Sequence, residues 1–373
     1  MRSWSSRALE IVAASSSLNS EILSHITALK SSYVSFPLLS NGHVESIFAR
    51  LFRSLPAVEF RRECLGMADG GTVALDWPIG GAGGDMWNTK LSEDAPALIL
   101  LPGLTGGSGD TYVRHFLVRA RQHGWNATVF NSRGCAASPV TSPQFYSASF
   151  TEDLREVVKH VSNCFPRSPV YAVGWSLGAN ILVRYLGEES EKCTLTGAVS
   201  LCNPYDLVIA DKNFQKGFNK VYDKRLAKSL RNSLKKHAAL FEGIGGAYDV
   251  QKAIQAKSIR EYDDGLTKVS FGYKTVDDYY FDSSSSRSVK DVKVPLLCIQ
   301  AETDPIAPSC AIPRAEILKN PHCLLVITPT GGHLGWVAGN DGPFGSPWTD
   351  SVVMDYLQYI ELLRKNKSTA LCN

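Results

Sequence analysis

Short apolar runs alternate with stretches of helical spacing through most of the chain, the rhythm of a mostly parallel sheet wrapped by helices. Residues 58–78 read as two strands around a Gly70-Gly71 turn, and a loop is expected from Gly80 onward. Buried strands are expected at Ala97-Leu98-Ile99-Leu100-Leu101, Ala127-Thr128-Val129-Phe130, Val170-Tyr171-Ala172-Val173 and Ala198-Val199-Ser200-Leu201. The pattern resumes at Pro295-Leu296-Leu297-Cys298-Ile299-Gln300 and Leu324-Leu325-Val326-Ile327. Helical spacing falls between these runs, at about 150–164, at 177–186 and, closing the chain, at about 351–363.

Residues 205–290 break the rhythm. They are helical, aromatic and basic, with no strand alternation, and an excursion of that size inside a doubly wound sheet is expected to fold over one end of it as a lid. Before the first strand, Leu18, Ile22, Ile26 and Leu29 recur at helical spacing. The expected organisation is therefore a helical extension at 1–40, one α/β domain at 41–365 carrying the lid, and a tail at 366–373. The run Ser283-Ser284-Ser285-Ser286 is the sole low-complexity stretch.

Composition adds exclusions. At 44% hydrophobic and 20% charged, 373 residues suffice for a large core without disulfides or metals. A net charge of +3 is too small to argue for nucleic acid as a partner. Nine scattered cysteines, an odd number with no CxxC pair, point to a reducing intracellular compartment, cytoplasmic or organellar. No apolar run reaches the roughly 18–20 residues of a spanning helix. Arg2 and Arg7 among serines allow a transit peptide, while the helical spacing after them favours a helix packed on the domain, so the organelle stays open.

Candidate chemistry centres on Gly174-Trp175-Ser176-Leu177-Gly178, directly after an expected strand and before an expected helix. The pattern G-x-S-x-G in that context is a nucleophile elbow: small neighbours let the chain turn sharply and expose the hydroxyl at a helix N-terminus. An incidental tight turn is the alternative. A hydroxyl attacks only when a base removes its proton. His333, in Thr330-Gly331-Gly332-His333-Leu334-Gly335 after the last strand, is placed to do so, whereas His322 precedes that strand and belongs at its other end. The acid is expected at Asp304, ending the strand before it, with Glu302 and Asp206 as substitutes. The oxyanion would be held by the amides of Leu177 and Leu104, with Thr105 as the alternative to Leu104. The glycines of 102–109 lack the Lys-Ser/Thr of a phosphate loop, so no nucleotide cofactor is expected, and no metal.

These residues bring a resemblance with them. The chain resembles the α/β-hydrolase-domain proteins of the fourth AB-hydrolase branch, which includes plant embryogenesis-associated proteins, medium-chain ethyl ester synthases, acylglycerol lipases and phospholipases. The likeness rests on Asn41-Gly42-His43-Val44-Glu45, Pro102-Gly103-Leu104-Thr105-Gly106-Gly107-Ser108, Asn131-Ser132-Arg133-Gly134, Gly174 to Asn180, Asn203-Pro204-Tyr205-Asp206-Leu207, Asp277-Asp278-Tyr279-Tyr280 and Gly331 to Trp336. It implies the α/β-hydrolase fold with Ser176, Asp304 and His333 as nucleophile, acid and base. The expected function is carboxylic ester hydrolysis through an acyl-enzyme, on medium-to-long acyl esters or acylglycerol-type lipids. Acyl transfer to an alcohol and a non-catalytic scaffold on the same fold are the alternatives.

Lys212, Lys216, Lys220, Lys224 and Lys228 repeat every four positions and would form one stripe on a single lid helix, either solvated or resting on an anionic membrane. Among the lid aromatics, Phe241, Tyr262, Phe271, Tyr273, Tyr279 and Tyr280 are candidates to line an acyl pocket or to form the lid's own core.

Overall fold

The computed structural model describes residues 8–30, 33–81, 84–241, 248–339 and 341–372. Within them, nine strands form one sheet: β1 (Glu10–Ala13), β2 (Val58–Gly66), β3 (Thr72–Gly81), β4 (Ala97–Leu101), β5 (Asn126–Asn131), β6 (Val170–Trp175), β7 (Gly197–Leu201), β8 (Leu296–Ala301) and β9 (Cys323–Thr328). Their spatial order is β1-β9-β8-β7-β6-β4-β5-β3-β2. From β5 to β9 every neighbouring pair is parallel, and β1, β2 and β3 run antiparallel at the two edges.

The parallel strands read as unbroken apolar runs because both of their faces are covered. Leu98, Leu100, Tyr171, Val173, Val199, Leu297 and Ile299 point into one core, while their neighbours Ile99, Leu101, Val170, Ala172, Ala198, Leu296 and Cys298 point into the other. The first core is closed by α1 (Ser17–His25), α3 (Thr111–Gln122) and α12 (Thr349–Cys372), through Ile22, Phe116 and Tyr356. The second is closed by α4 (Glu152–Cys164), α5 (Leu177–Glu189) and α11 (Arg314–Lys319), through Val157, Leu182 and Ile317. Another helix, α2 (Gly42–Phe52), starts at Asn41, whose side chain accepts from the amides of His43 and Val44.

The helical extension expected before residue 40 contains a strand. Residues 10–13 add β1 to the sheet by pairing Glu10 with Ile327 and Ala13 with Leu324. Four residues are too few to show alternation, and the pairing partner lies at the far end of the sequence. The loop expected from Gly80 begins later, since Gly80 and Gly81 still pair with Glu59 and Val58, and residues 82–83 lie outside the described set. Arg2 and Arg7, the residues that left a transit peptide open, also lie outside it. No helix among the described residues is long and apolar enough to cross a membrane.

The segment between β7 and β8 is helical: α6 (Leu207–Phe214), α7 (Asn219–His237), α8 (Val250–Gln255), α9 (Ile259–Tyr262) and α10 (Val276–Ser283). Its core joins Leu230, Leu234, Phe241 and Leu266 to Val140 and Phe145 of the loop after β5. The serine run that ends it is not a loose linker. Ser283, Ser284 and Ser285 are buried, and Asn180 of α5 clamps them, donating to the Ser283 carbonyl and accepting the Ser285 amide.

Candidate active site

The central parallel strands end on one edge of the sheet, and the loops leaving that edge carry the three candidate side chains. Ser176 sits between β6 and α5 with φ 53° and ψ −119°, a left-handed conformation that costs a non-glycine residue energy and is held only by its surroundings. The flanking glycines permit the turn. A Cβ on Gly174 would stand 2.7 Å from the Gly178 carbonyl oxygen, and one on Gly178 would collide with the Leu101 carbonyl. The amide of Ser176 is tied back to the Leu201 carbonyl at 2.9 Å.

The structure brings Ser176, His333 and Asp304 together. His333 Nε2 lies 2.9 Å from Ser176 Oγ, and His333 Nδ1 lies 2.8 Å from Asp304 Oδ2 and 3.1 Å from Oδ1. An ionised carboxylate only accepts, so Nδ1 carries the proton and Nε2 is left to accept from the serine hydroxyl. Asp304 is itself fixed, because Oδ1 accepts the amides of Ile306 and Ala307 at 2.8 and 2.9 Å. All three side chains are buried. The substitute acids lie elsewhere: Asp206 caps α6 by accepting the Ile209 amide, and Glu302 accepts from Ser309 and Arg314. His322 precedes β9, at the opposite end of the strand from His333.

The loop after β4 runs past Ser176, with Gly103 close enough that a Cβ there would meet the serine Cβ at 3.1 Å. Most of its amides are occupied. Gly103 donates to the Tyr112 hydroxyl, Thr105 to the Tyr146 hydroxyl at 2.8 Å, Gly106 to the Gly103 carbonyl, Gly107 to Asp110 and Ser108 to Asn131. The Leu104 amide has no acceptor among the described residues. Between the two sequence candidates, Leu104 is thus the free donor and Thr105 is engaged. Leu177, first residue of α5, belongs to the opening turn, where amides have no intrahelical acceptor.

A cavity of ≈ 1170 Å³ opens over these groups. Ser176, His333, Leu104 and Leu177 line it together with residues of α6, α7, α9 and α10, among them Phe214, Tyr222, Ile259 and Tyr280. Of the lid aromatics singled out in the sequence, Tyr262, Tyr279 and Tyr280 reach the cavity, while Phe241 belongs to the insertion's own core. Phe145, Tyr146, Phe214, Phe218 and Tyr222 also line it. The lysine stripe is broken: Lys212 lies on α6, Lys216 in the following turn, where Gly217 takes φ 43°, and only Lys220, Lys224 and Lys228 share α7.

One set of neighbours of the candidate triad was not assigned a role from the sequence. The first turns of α2 pack against both the acid loop and the base loop. A side chain on Gly42 would collide with the Thr303 carbonyl. Ser46 Oγ accepts the His333 amide at 2.7 Å and donates to the Gly42 carbonyl. Glu45 Oε1 accepts the Val337 amide at 2.6 Å, and Arg53 donates to the carbonyls of Leu334 and Gly335. Asn41-Gly42-His43-Val44-Glu45 was visible as a block; that its polar side faces inward was not.

Comparison with known proteins agrees with this architecture. The sequence profile of one family, described as alpha/beta hydrolase fold, matches residues 96–337. The chain is 62% identical over 343 residues to embryogenesis-associated protein EMB8 of Picea glauca, covering 91% of this chain and 75% of that protein. It is 36% identical over 318 residues to phospholipase ABHD3 of Bos taurus (84% and 75% covered) and 31% identical over 344 residues to a monoacylglycerol lipase of Saccharomyces cerevisiae (82% and 76% covered). With the family profile spanning most of the chain and these relatives aligned over most of their length, the chain belongs to the alpha/beta hydrolase fold family, among relatives that include a phospholipase and a monoacylglycerol lipase.

Proposed function

We propose that the chain is a serine carboxylic ester hydrolase that works through an acyl-enzyme. The observation that carries this reading is the chain of contacts from Asp304 through both nitrogens of His333 to the Ser176 hydroxyl, with Ser176 and His333 lining an open cavity. In the proposed reaction, Ser176 Oγ attacks the ester carbonyl carbon as His333 Nε2 takes its proton, and Asp304 stabilises the imidazolium. The negative oxygen is met by the amides of Leu177 and Leu104, with the N-terminus of α5 behind them. Collapse of the tetrahedral intermediate breaks the bond to the alcohol, which leaves with the proton from Nε2. Water then attacks the acyl-enzyme with His333 as base, releasing the acid and restoring Ser176.

The substrate class we favour is a medium-to-long acyl ester or an acylglycerol-type lipid. The cavity is larger than small esters need and is lined by aromatic and aliphatic side chains, and two relatives are named as a phospholipase and a monoacylglycerol lipase. Residues at about 205–290 would act as its lid. The test is hydrolysis of p-nitrophenyl esters of graded chain length by wild type and Ser176→Ala. Activity rising from acetate toward medium chains and absent in the variant supports the proposal; equal activity in both ends it. Adding ethanol or glycerol and analysing the products separates hydrolysis from acyl transfer.

A further inference from the structure

Helix α2 presents most of its apolar side to solvent. Val44, Ile47, Phe48, Leu51 and Phe52 recur at spacings of three and four, so they share one face, the face a surface helix normally buries. Here Leu51 is 64% exposed and Phe52 57%, Val44 and Ile47 are exposed too, and so is Leu55 just beyond the helix end. The inward face carries Glu45, Ser46 and, at the end of the helix, Arg53, the residues that hold the His333 loop, beside Ala49, which packs with Leu39, Val337 and the half-buried Phe48. The polar grip on the candidate base therefore forces the apolar stripe outward.

The exposed stripe is continuous with apolar groups on both sides. Phe48 stands 5.2 Å from Phe52 and 5.7 Å from the exposed Phe344, measured between ring centroids. On the other side His43 meets Phe218 at 5.2 Å and places Nδ1 3.1 Å from the Tyr222 hydroxyl, joining α2 to the start of α7, where Phe218 and Val221 are exposed. Ile47, Leu51, Phe218 and Val221 also line the cavity that holds Ser176. The patch is the rim of the cavity mouth. Exposed cations, Lys216, Lys220 and Lys224, alternate with its α7 edge.

We infer that this rim is a docking surface for an anionic lipid layer. Large exposed apolar patches mark interaction sites, and side chains of this kind enter the acyl boundary of a lipid layer while adjoining lysines meet negative headgroups. A second copy of the chain fits less well, because a two-fold contact over this patch brings the same lysines against each other. As a lipid-facing rim it also gives an acyl chain a dry path from the layer to Ser176; that part rests on the ester hydrolase reading, whereas the docking itself does not.

The test uses the full chain with vesicles of phosphatidylcholine, with and without phosphatidylserine. Two variants are compared with wild type: Val44→Ser/Phe52→Ser/Leu55→Ser, which leaves every cavity-lining residue in place, and Lys216→Gln/Lys220→Gln/Lys224→Gln. Wild type is expected to sediment with the phosphatidylserine vesicles, the apolar variant to bind them about tenfold more weakly or worse, and the lysine variant to lose the preference for phosphatidylserine. The apolar variant keeps wild-type hydrolysis of a soluble short-chain ester and loses hydrolysis of esters embedded in vesicles. Wild type that sediments with neither vesicle, or an apolar variant that binds as wild type does, overturns the inference. So does a wild-type dimer in sedimentation velocity that the apolar variant converts to monomer, with no vesicle binding by either. A chain that docks as expected but hydrolyses no ester upholds the docking surface and refutes the ester hydrolase reading alone.

Discussion

Ser46 Oγ receives the backbone N–H of His333 at 2.7 Å, a contact between residues 287 apart in sequence. The hydroxyl proton is committed to the Gly42 carbonyl, so the oxygen is oriented as an acceptor. The candidate base is thereby held from its backbone by α2 and from its ring by Asp304. Ser46→Ala removes the backbone hold and takes one hydroxyl from the cavity lining, so kcat and KM are read separately. The expected result is a kcat on a soluble ester lowered by about tenfold to a hundredfold, with KM nearly unchanged, since small displacements of a reacting group cost rate before binding. A proportional rise in KM with constant kcat would assign Ser46 to substrate binding.

The Asp304–His333 contact predicts a steeper loss. Asp304→Asn keeps an oxygen able to accept the amides of Ile306 and Ala307, so the loop stays folded. It presents the imidazole with a donor where it needs an acceptor, favouring the wrong tautomer. The expected drop in kcat is on the order of 10³–10⁴, with melting temperature preserved. Steady-state kinetics beside a thermal melt checks both halves.

Because the proposed oxyanion donors are main-chain amides, the informative substitution is the one that deletes the N–H. Leu104→Pro is expected to lower kcat by about 10²–10³, while Leu104→Ala, which keeps the amide, stays within several-fold of wild type. Equal losses in the two would point to the Leu104 side chain instead.

Much of this arrangement was legible in the chain. β4, β6, β7 and β8 announce themselves because parallel strands buried on both faces read as apolar runs, and Ser176, Asp304 and His333 each follow such a run. What escaped has physical causes. The β1 strand owes its existence to pairing with β9, not to any local pattern. Lys212 to Lys228 keep a helical spacing that the turn at Gly217 interrupts. Most of all, the apolar spacing of Val44 to Phe52 says which residues share a face but not which way that face points, and here buried hydrogen bonds from Glu45, Ser46 and Arg53 override the usual rule.

Glu45 gives this buried grip a pH signature. It is 0% exposed, and burial pushes its carboxyl up to about 7, against the opposing pull of the Val337 amide and Arg53. A carboxyl raised on folding binds more protons in the folded than in the unfolded state between its ordinary value and about 7. Its contribution to stability is complete below that window and is lost as the pH rises through it. Glu45→Gln stays neutral throughout. Its melting temperature relative to wild type is expected to rise from about pH 5 to about pH 8, by the equivalent of on the order of 1–2 kcal/mol. A difference independent of pH would mean that Glu45 does not titrate in this range.

Covalent labelling tests whether the Ser176 hydroxyl is the attacking group without knowledge of the natural substrate. Wild type is incubated with a fluorophosphonate probe, its intact mass is recorded, and the modified peptide is sequenced. One adduct per chain is expected, located on Ser176, absent from Ser176→Ala and formed much more slowly in a variant lacking the His333 imidazole. A folded wild type that takes up no probe, or takes it up equally when Ser176 is alanine, would contradict that role for Ser176.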